Sequence, residues 1–350
     1  MDTVMLKSDL PADVARAASI IRQGGLVALP TETVYGLAGN ALDTSVVQRI
    51  YAAKGRPSDN PLIVHVRSFD DIGQVAQDVP DVARALAEGW WPGPLTVVLP
   101  KNPAIPGEVT GGGPTVAVRS PDHPAFQQVL DAAGVPLAAP SANTAGKPSP
   151  TTARHVWEDL RGKIDAVLDG GPCRVGVEST VVSLVTDPPR LLRPGGVSLE
   201  ELWDVLGYVE VDPAVSGDMT SGEAPGSPGM KYRHYAPAAP VTAVTGTPVN
   251  ALRYLLDRVE NNPDVAVVCF DEDLGFLGPL REESDDLVVI PYGSQEDPDA
   301  LSHGLFEALR TADGSGADYI LVRCPESNDG LYRAVRNRIL KAAAFQEAVL

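Results

Sequence analysis

The stretch Gly24-Gly25-Leu26-Val27-Ala28-Leu29-Pro30-Thr31-Glu32-Thr33-Val34-Tyr35-Gly36-Leu37 decides the fold class. Upstream of it, Val14, Ala17, Ala18 and Ile21 recur at helical spacing over 12–23, and the paired glycines stop that pattern. Residues 26–30 then read as a short buried strand, and 30–37 as the loop that leaves it. Two hydroxyls and one carboxylate in that loop suit a polar ligand held at a strand end. A capped turn before a helix is the alternative reading of the same residues.

Working outward, a helix is expected over 43–53, ending near Lys54-Gly55. Strand-like runs follow at 62–66, 95–99, 116–118, 166–168 and 181–185, with helical patterns near 80–88, 122–133 and 152–161. The mixture predicts a twisted α/β or α+β first domain over 1–206. Residues 207–240 are rich in breakers (Ser216-Gly217, Ser221-Gly222, Pro225-Gly226) and read as a linker. Its second half, Met230-Lys231-Tyr232-Arg233-His234-Tyr235, carries more cations and aromatics than a passive spacer needs. From 241 to 350, strands at 241–244, 265–270, 287–290 and 319–322 alternate with helices near 248–260, 298–311 and 329–344. That alternation predicts a small parallel, three-layer, Rossmann-like α/β domain.

With 350 residues, two domains are the natural expectation. A composition 44% hydrophobic and 21% charged is that of a globular protein. The net charge of -18 opposes broad, charge-driven binding to nucleic acid, which needs clustered Lys and Arg. Much of the acidity sits in Asp271-Glu272-Asp273 and in 282–286, which read as solvated loops. Cys173, Cys269 and Cys324 are scattered and form no C-x-x-C pair, which fits a reducing compartment. With no apolar run long enough to span a membrane and no signal-like start, the cytoplasm is expected.

The chemistry is concentrated at strand–loop junctions. In Lys54-Gly55-Arg56-Pro57-Ser58-Asp59-Asn60-Pro61, Lys supplies a mobile point charge and Arg a planar fork suited to phosphate or carboxylate. A solvated helix end, where cations are favoured anyway, is the alternative. Arg119 closes the strand 116–118, and His65 lies on an apolar one. Ala138-Ala139-Pro140-Ser141-Ala142-Asn143 leaves another strand and runs into Gly146-Lys147-Pro148-Ser149. Such a Pro- and Gly-rich turn exposes backbone N–H groups to an anion. Glu178-Ser179-Thr180 and Leu192-Arg193-Pro194-Gly195-Gly196 repeat the theme. No G-x-x-x-x-G-K-[ST] loop, G-x-S-x-G elbow or H-E-x-x-H helix is present. Cations and hydroxyls without a nucleophile–base pair favour chemistry run by positioning and electrostatics, as in phosphoryl or adenylyl transfer.

Together, Lys54-Gly55-Arg56-Pro57, Ser141-Ala142-Asn143, Glu178-Ser179-Thr180-Val181 and Arg193-Pro194-Gly195 resemble the threonylcarbamoyl-AMP synthase family, whose catalytic module is a YrdC-like domain. Ser227-Pro228-Gly229-Met230-Lys231-Tyr232-Arg233-His234-Tyr235-Ala236-Pro237 resembles the linker of its long, two-domain form. The resemblance covers the whole chain. It implies condensation of L-threonine, bicarbonate and ATP, with Mg2+ carried by the nucleotide, to threonylcarbamoyl-AMP and pyrophosphate. A downstream threonylcarbamoyl transferase complex would pass the group to tRNA, so contact with tRNA would be indirect. It further implies a threonine site of Thr33, His65, Arg119, Ser179 and the backbone at Ala139. ATP would be held by Lys54, Arg56, Asn60, Thr115, Ser141, Asn143, Ser149 and Arg193, with Lys54 and Arg56 offsetting charge on the leaving pyrophosphate. The linker, 207–240, would act as a lid that places His234 or Tyr235 on the nucleotide and shields the product from water. Two rivals fit less well. The charge opposes an RNA-binding module, and three scattered cysteines oppose a hydrogenase-maturation carbamoyltransferase with its Cys-rich zinc motifs.

Overall fold

The computed structural model describes residues 2–215, 217, 234–261, 264–283 and 287–350. The chain divides into two compact units, 1–145 with 149–232, and 146–148 with 233–350. Of the expected linker, residues 216 and 218–233, including Lys231 and Arg233, lie outside the described residues.

Among the described residues, the first unit is built on eleven strands: β1 (Val4–Lys7), β2 (Val27–Leu29), β3 (Gly36–Asn40), β4 (Ile63–His65), β5 (Leu95–Pro100), β6 (Thr115–Arg119), β7 (Leu137–Ala138), β8 (Ala166–Asp169), β9 (Thr180–Ser183), β10 (Arg190–Arg193) and β11 (Glu210–Val211). Their order is β1-β8-β2-β3-β7-β4-β6-β5-β9-β10-β11, with parallel and antiparallel pairs mixed. β2 shows why the sheet must be covered on both sides. Ala28 joins a core with the helix residues Val46, Val47 and Ile50, whereas Val27 and Leu29 join another with Val14, Ala17, Phe126 and Val129. Alternate residues of a strand face opposite ways, so an all-apolar strand demands apolar partners on each face. Helices Pro11–Arg22 and Pro124–Ala133 serve one face, and Thr44–Lys54 the other.

Two local features place the chemistry. Asp43 accepts hydrogen bonds from Ser45 N and Val46 N, which starts helix Thr44–Lys54; the helix ends at Gly55 and leaves Lys54 buried in its last turn. The alternative of a capped turn followed by a helix after residue 30 does not hold. The chain turns through Thr31–Tyr35 and returns as β3, with Val27 opposite Ala38 and Leu29 opposite Gly36. Two glycines and no β-branched residue hide this strand from propensity. Gly39 is small for a reason: a Cβ there would stand 2.5 Å from Val46 Cγ1 and 3.0 Å from Leu26 Cδ2.

Among the described residues, the second unit carries a five-stranded, all-parallel sheet: β12 (Val241–Thr245), β13 (Val265–Cys269), β14 (Val288–Pro291), β15 (Tyr319–Arg323) and β16 (Glu347–Val349), in the order β14-β13-β15-β12-β16. Helix Pro248–Asn261 buries Ala251, Leu255 and Val259 against β13, and helix Pro298–Gly314, capped by Asp297, buries Leu301, Leu305 and Leu309. The expected mixed α/β domain followed by a smaller parallel one is therefore what forms. No helix among the described residues is long and apolar enough to cross a membrane.

Candidate active site

The turn after β2 is a hydroxyl knot. Thr31 Oγ1 donates to Val34 O at 2.7 Å, accepts from Thr33 N and Val34 N, and lies 2.9 Å from Thr33 Oγ1. This fixes Glu32 in the interior, where its Oε1 lies 2.7 Å from Arg119 Nη2 at the end of β6, with the side chains 1% and 5% exposed. Arg119 Nε donates to Gly93 O at 3.1 Å. The Glu32–Arg119 contact is an ion pair without hydrogen-bond geometry, so both Glu32 oxygens and Arg119 Nη2 keep unused hydrogen-bonding capacity. Removing one partner of such a buried pair costs about 3–5 kcal/mol, because the other charge is left uncompensated.

His65 ends β4 directly opposite Arg119 and packs against Phe126, with ring centroids 5.2 Å apart. Burial, then the neighbouring Arg119 charge, lowers its pKa from 6.5 to about 3. The ring is therefore neutral at physiological pH. Because the folded value lies below the ordinary one, the unfolded chain takes up the proton first. Stability present above about pH 6.5 is then lost as the pH falls toward 3. His65→Gln should flatten this part of the stability–pH curve relative to the parent chain in chemical denaturation. An unchanged slope would show that other groups carry the acid sensitivity.

Next to this cluster, Thr96 Oγ1 and Ser179 Oγ lie 2.8 Å apart, both fully buried. Thr96 stands opposite Arg119 across β5 and β6. Arg193, at the end of β10, donates from Nε to Ser179 O at 3.0 Å and from Nη2 to Ser179 Oγ at 3.1 Å. Ser149 Oγ donates to Glu178 Oε1, which ties the loop after β7 to the turn before β9.

The second cluster centres on Lys54. Its Nζ donates to Ser141 O, to Asn143 O at 2.6 Å and to Asn143 Oδ1 at 3.3 Å, with the residue 1% exposed. The cation thus gathers the carbonyls of 141–143, and the backbone of that turn folds around it. Ala142 N donates to Tyr35 O at 2.7 Å, and Gly36 bridges Ser141, so this turn is stitched to the loop that carries Thr33. Arg56 is half-buried and donates from Nε to Asn60 O at 3.2 Å and from Nη2 to Pro61 O at 3.0 Å. Asn60 is buried, and its Oδ1 makes no hydrogen bond.

The structure thus links His65, Arg119, Ser179 and Arg193 at the ends of β4, β6, β9 and β10, partly through Thr96, and joins Lys54 to Ser141 and Asn143. Thr33 is held in the turn after β2, next in sequence to Glu32, the partner of Arg119. Ala139 lies beside β4, its N donating to Ile63 O at 3.0 Å. Thr115 stands apart: it opens β6, four residues or about 13 Å along the strand from Arg119. His234 and Tyr235 belong to the second unit, where Tyr235 packs on Phe306 with centroids 5.4 Å apart and under Arg338 at 5.6 Å. Three contributors were not singled out from sequence. Thr96 was lost within an apolar run, where a lone hydroxyl residue was the available signal. Glu32 and Glu178 were read only as parts of motifs.

Comparison with known proteins places the chain as a whole. Residues 19–195 match the family model described as "Telomere recombination", which covers the Sua5, YciO and YrdC proteins. Residues 197–344 match the model of the threonylcarbamoyl-AMP synthase C-terminal domain. The threonylcarbamoyl-AMP synthase of Pyrococcus abyssi is 46% identical over 94% of this chain and 94% of its own length. That of Bacillus subtilis is 43% identical over 94% and 92%. A crystal structure of P. abyssi Sua5 complexed with L-threonine superposes with a TM-score of 0.89 at 42% identity, covering 100% of both chains.

Proposed function

We infer the activity from one premise: the chain belongs to the threonylcarbamoyl-AMP synthase family. It condenses L-threonine, bicarbonate and ATP to threonylcarbamoyl-AMP and pyrophosphate, for threonylcarbamoyladenosine modification of tRNA. The observation that carries the site reading is Arg119, a buried cation whose Nη2 is ion-paired with Glu32 at 2.7 Å but makes no aligned hydrogen bond, beside a row of buried hydroxyls.

The substrate carboxylate joins Arg119, which fixes the amino acid by a charge-assisted contact. Thr33 and Ser179 offer hydroxyls to the threonine side chain, neutral His65 walls the pocket, and Ala139 supplies backbone. Lys54, Arg56, Asn60, Thr115, Ser141, Asn143, Ser149 and Arg193 hold ATP, which brings Mg2+ on its phosphates. His234 and Tyr235 are further nucleotide contacts in this reading. In the adenylation step, a carbamate oxygen bonds to the α-phosphorus while the bond from that phosphorus to the bridging oxygen breaks, and pyrophosphate leaves. Lys54 contributes by holding the 141–143 turn and by its fixed positive charge, Arg56 by a more accessible guanidinium, and both favour the departing anion. Release of the product to a tRNA threonylcarbamoyl transferase complex, and work in the cytoplasm, follow from the same family reading.

Incubating the purified chain with 13C-bicarbonate, L-threonine and Mg-ATP should give a product with the mass of threonylcarbamoyl-AMP plus one unit. No such product, together with AMP and pyrophosphate formed no faster than without threonine, would overturn the assignment.

A further inference from the structure

We propose that Glu32 recognises the α-ammonium of the amino-acid substrate and takes its proton, so that the buried Glu32–Arg119 pair is a template for a zwitterion. The proposal rests on L-threonine being the substrate.

The pair's unused capacity is what points to this. A carboxylate 1% exposed with no hydrogen-bond donor on either oxygen is costly in a protein interior. A guanidinium nitrogen whose one anionic neighbour is misaligned for a hydrogen bond likewise keeps donor capacity to offer. An α-amino acid supplies the complement of both: ammonium N–H donors for Glu32 and a carboxylate for Arg119. The empty pair and the zwitterion each carry zero net charge, so binding exchanges one set of opposite charges for another without burying a net charge.

The other groups around Glu32 do not compete for this role. Arg119 is its cationic neighbour, and His65, opposite Arg119, is neutral with a pKa of about 3. His123, from the start of helix Pro124–Ala133, is shifted down by burial, and Cys173 is pushed up to about 12, also by burial. Glu178 is engaged by Ser149, and the Arg174–Asp122 pair is exposed at 3.3 Å. Val175 N donates to the Glu32 backbone carbonyl, leaving the side chain uncommitted to that strap.

In the step itself, Glu32 receives one proton from the ammonium and becomes a carboxylic acid, leaving a neutral amine. The amine lone pair then forms the N–C bond to bicarbonate carbon. The departing oxygen of bicarbonate takes the second amine proton and leaves as water, giving the carbamate. Glu32 returns its proton to solvent when the product leaves.

The test uses the full chain, calorimetric binding and turnover against pH. L-threonine should bind the parent at least about tenfold more tightly than 3-hydroxybutyrate, which is threonine without its amine. Glu32→Gln should erase most of that difference. Its turnover should fall on the order of a hundredfold at neutral pH and recover toward alkaline pH, where the free amine is populated in solution. The KM for ATP should stay near the parent's. Equal binding of threonine and 3-hydroxybutyrate by the parent overturns the proposal even if Glu32→Gln fails to fold. So does a Glu32→Gln variant with the parent's pH profile and threonine affinity. Absence of threonine binding to the parent would instead defeat the substrate reading.

Discussion

Lys54→Met is expected to lower threonine-dependent pyrophosphate release by about 10²–10³-fold, the scale set by removing one preorganised electrostatic contact. Two effects combine. The positive charge proposed to face the nucleotide is lost, and the carbonyls of Ser141 and Asn143, which the ammonium now gathers, lose this donor. Each orphaned carbonyl costs about 1–3 kcal/mol where it stays buried. Methionine keeps the length of the stem, so the core around Tyr51 and Ile50 is spared. Lys54→Arg is no rescue, because a planar fork does not fit a site 1% exposed that is built for a compact ammonium. Steady-state pyrophosphate release and a thermal melt separate the two effects. Parent-like turnover would remove Lys54 from the machinery.

Gly195→Ala should be the most damaging small substitution in the first unit. A Cβ at 195 would stand 2.2 Å from Thr180 N, 2.4 Å from Glu178 O and 2.4 Å from the Ser179 carbonyl carbon. All three obstacles are backbone, so relief requires moving either the 178–180 segment or the end of β10. Both carry residues of the proposed site: Ser179 on the first, Arg193 on the second, with two hydrogen bonds between them. Overpacking of this kind costs about 3 kcal/mol, and the Arg193–Ser179 register should fail with it. The measured outcome is a lowered melting temperature together with loss of threonine binding. Gly89→Ala is the control, since nothing lies within 4 Å of its Cβ and alanine favours a helix. Equal melting temperatures for the two variants would contradict the steric reading.

Local pattern revealed most of the fold because its strands are short apolar runs between helices with clear starts and stops. The helix ending at Lys54 and the strands ending at His65 and Arg119 were legible in this way. β3 was not, because Gly36-Leu37-Ala38-Gly39-Asn40 lacks strand formers, and its glycines answer to Val46 and Ala139 rather than to local conformation. The candidate site was legible as a set of cation- and hydroxyl-bearing junctions, but its pairings were not. Lys54 meets Ser141 across 87 positions, and Thr96 meets Ser179 across 83. Such contacts are created by sheet order, which no short window encodes. Sequence therefore showed Lys54 and Arg119 as charges available to ligands. Only the structure shows that Lys54 organises a backbone turn and that Arg119 already faces Glu32.

The most direct test of the central claim is pyrophosphate release by the purified chain, with ATP, L-threonine and bicarbonate each omitted in turn. Release that requires all three is the expected result. Pyrophosphate formed at the same rate without threonine or without bicarbonate would contradict the activity assigned to this site.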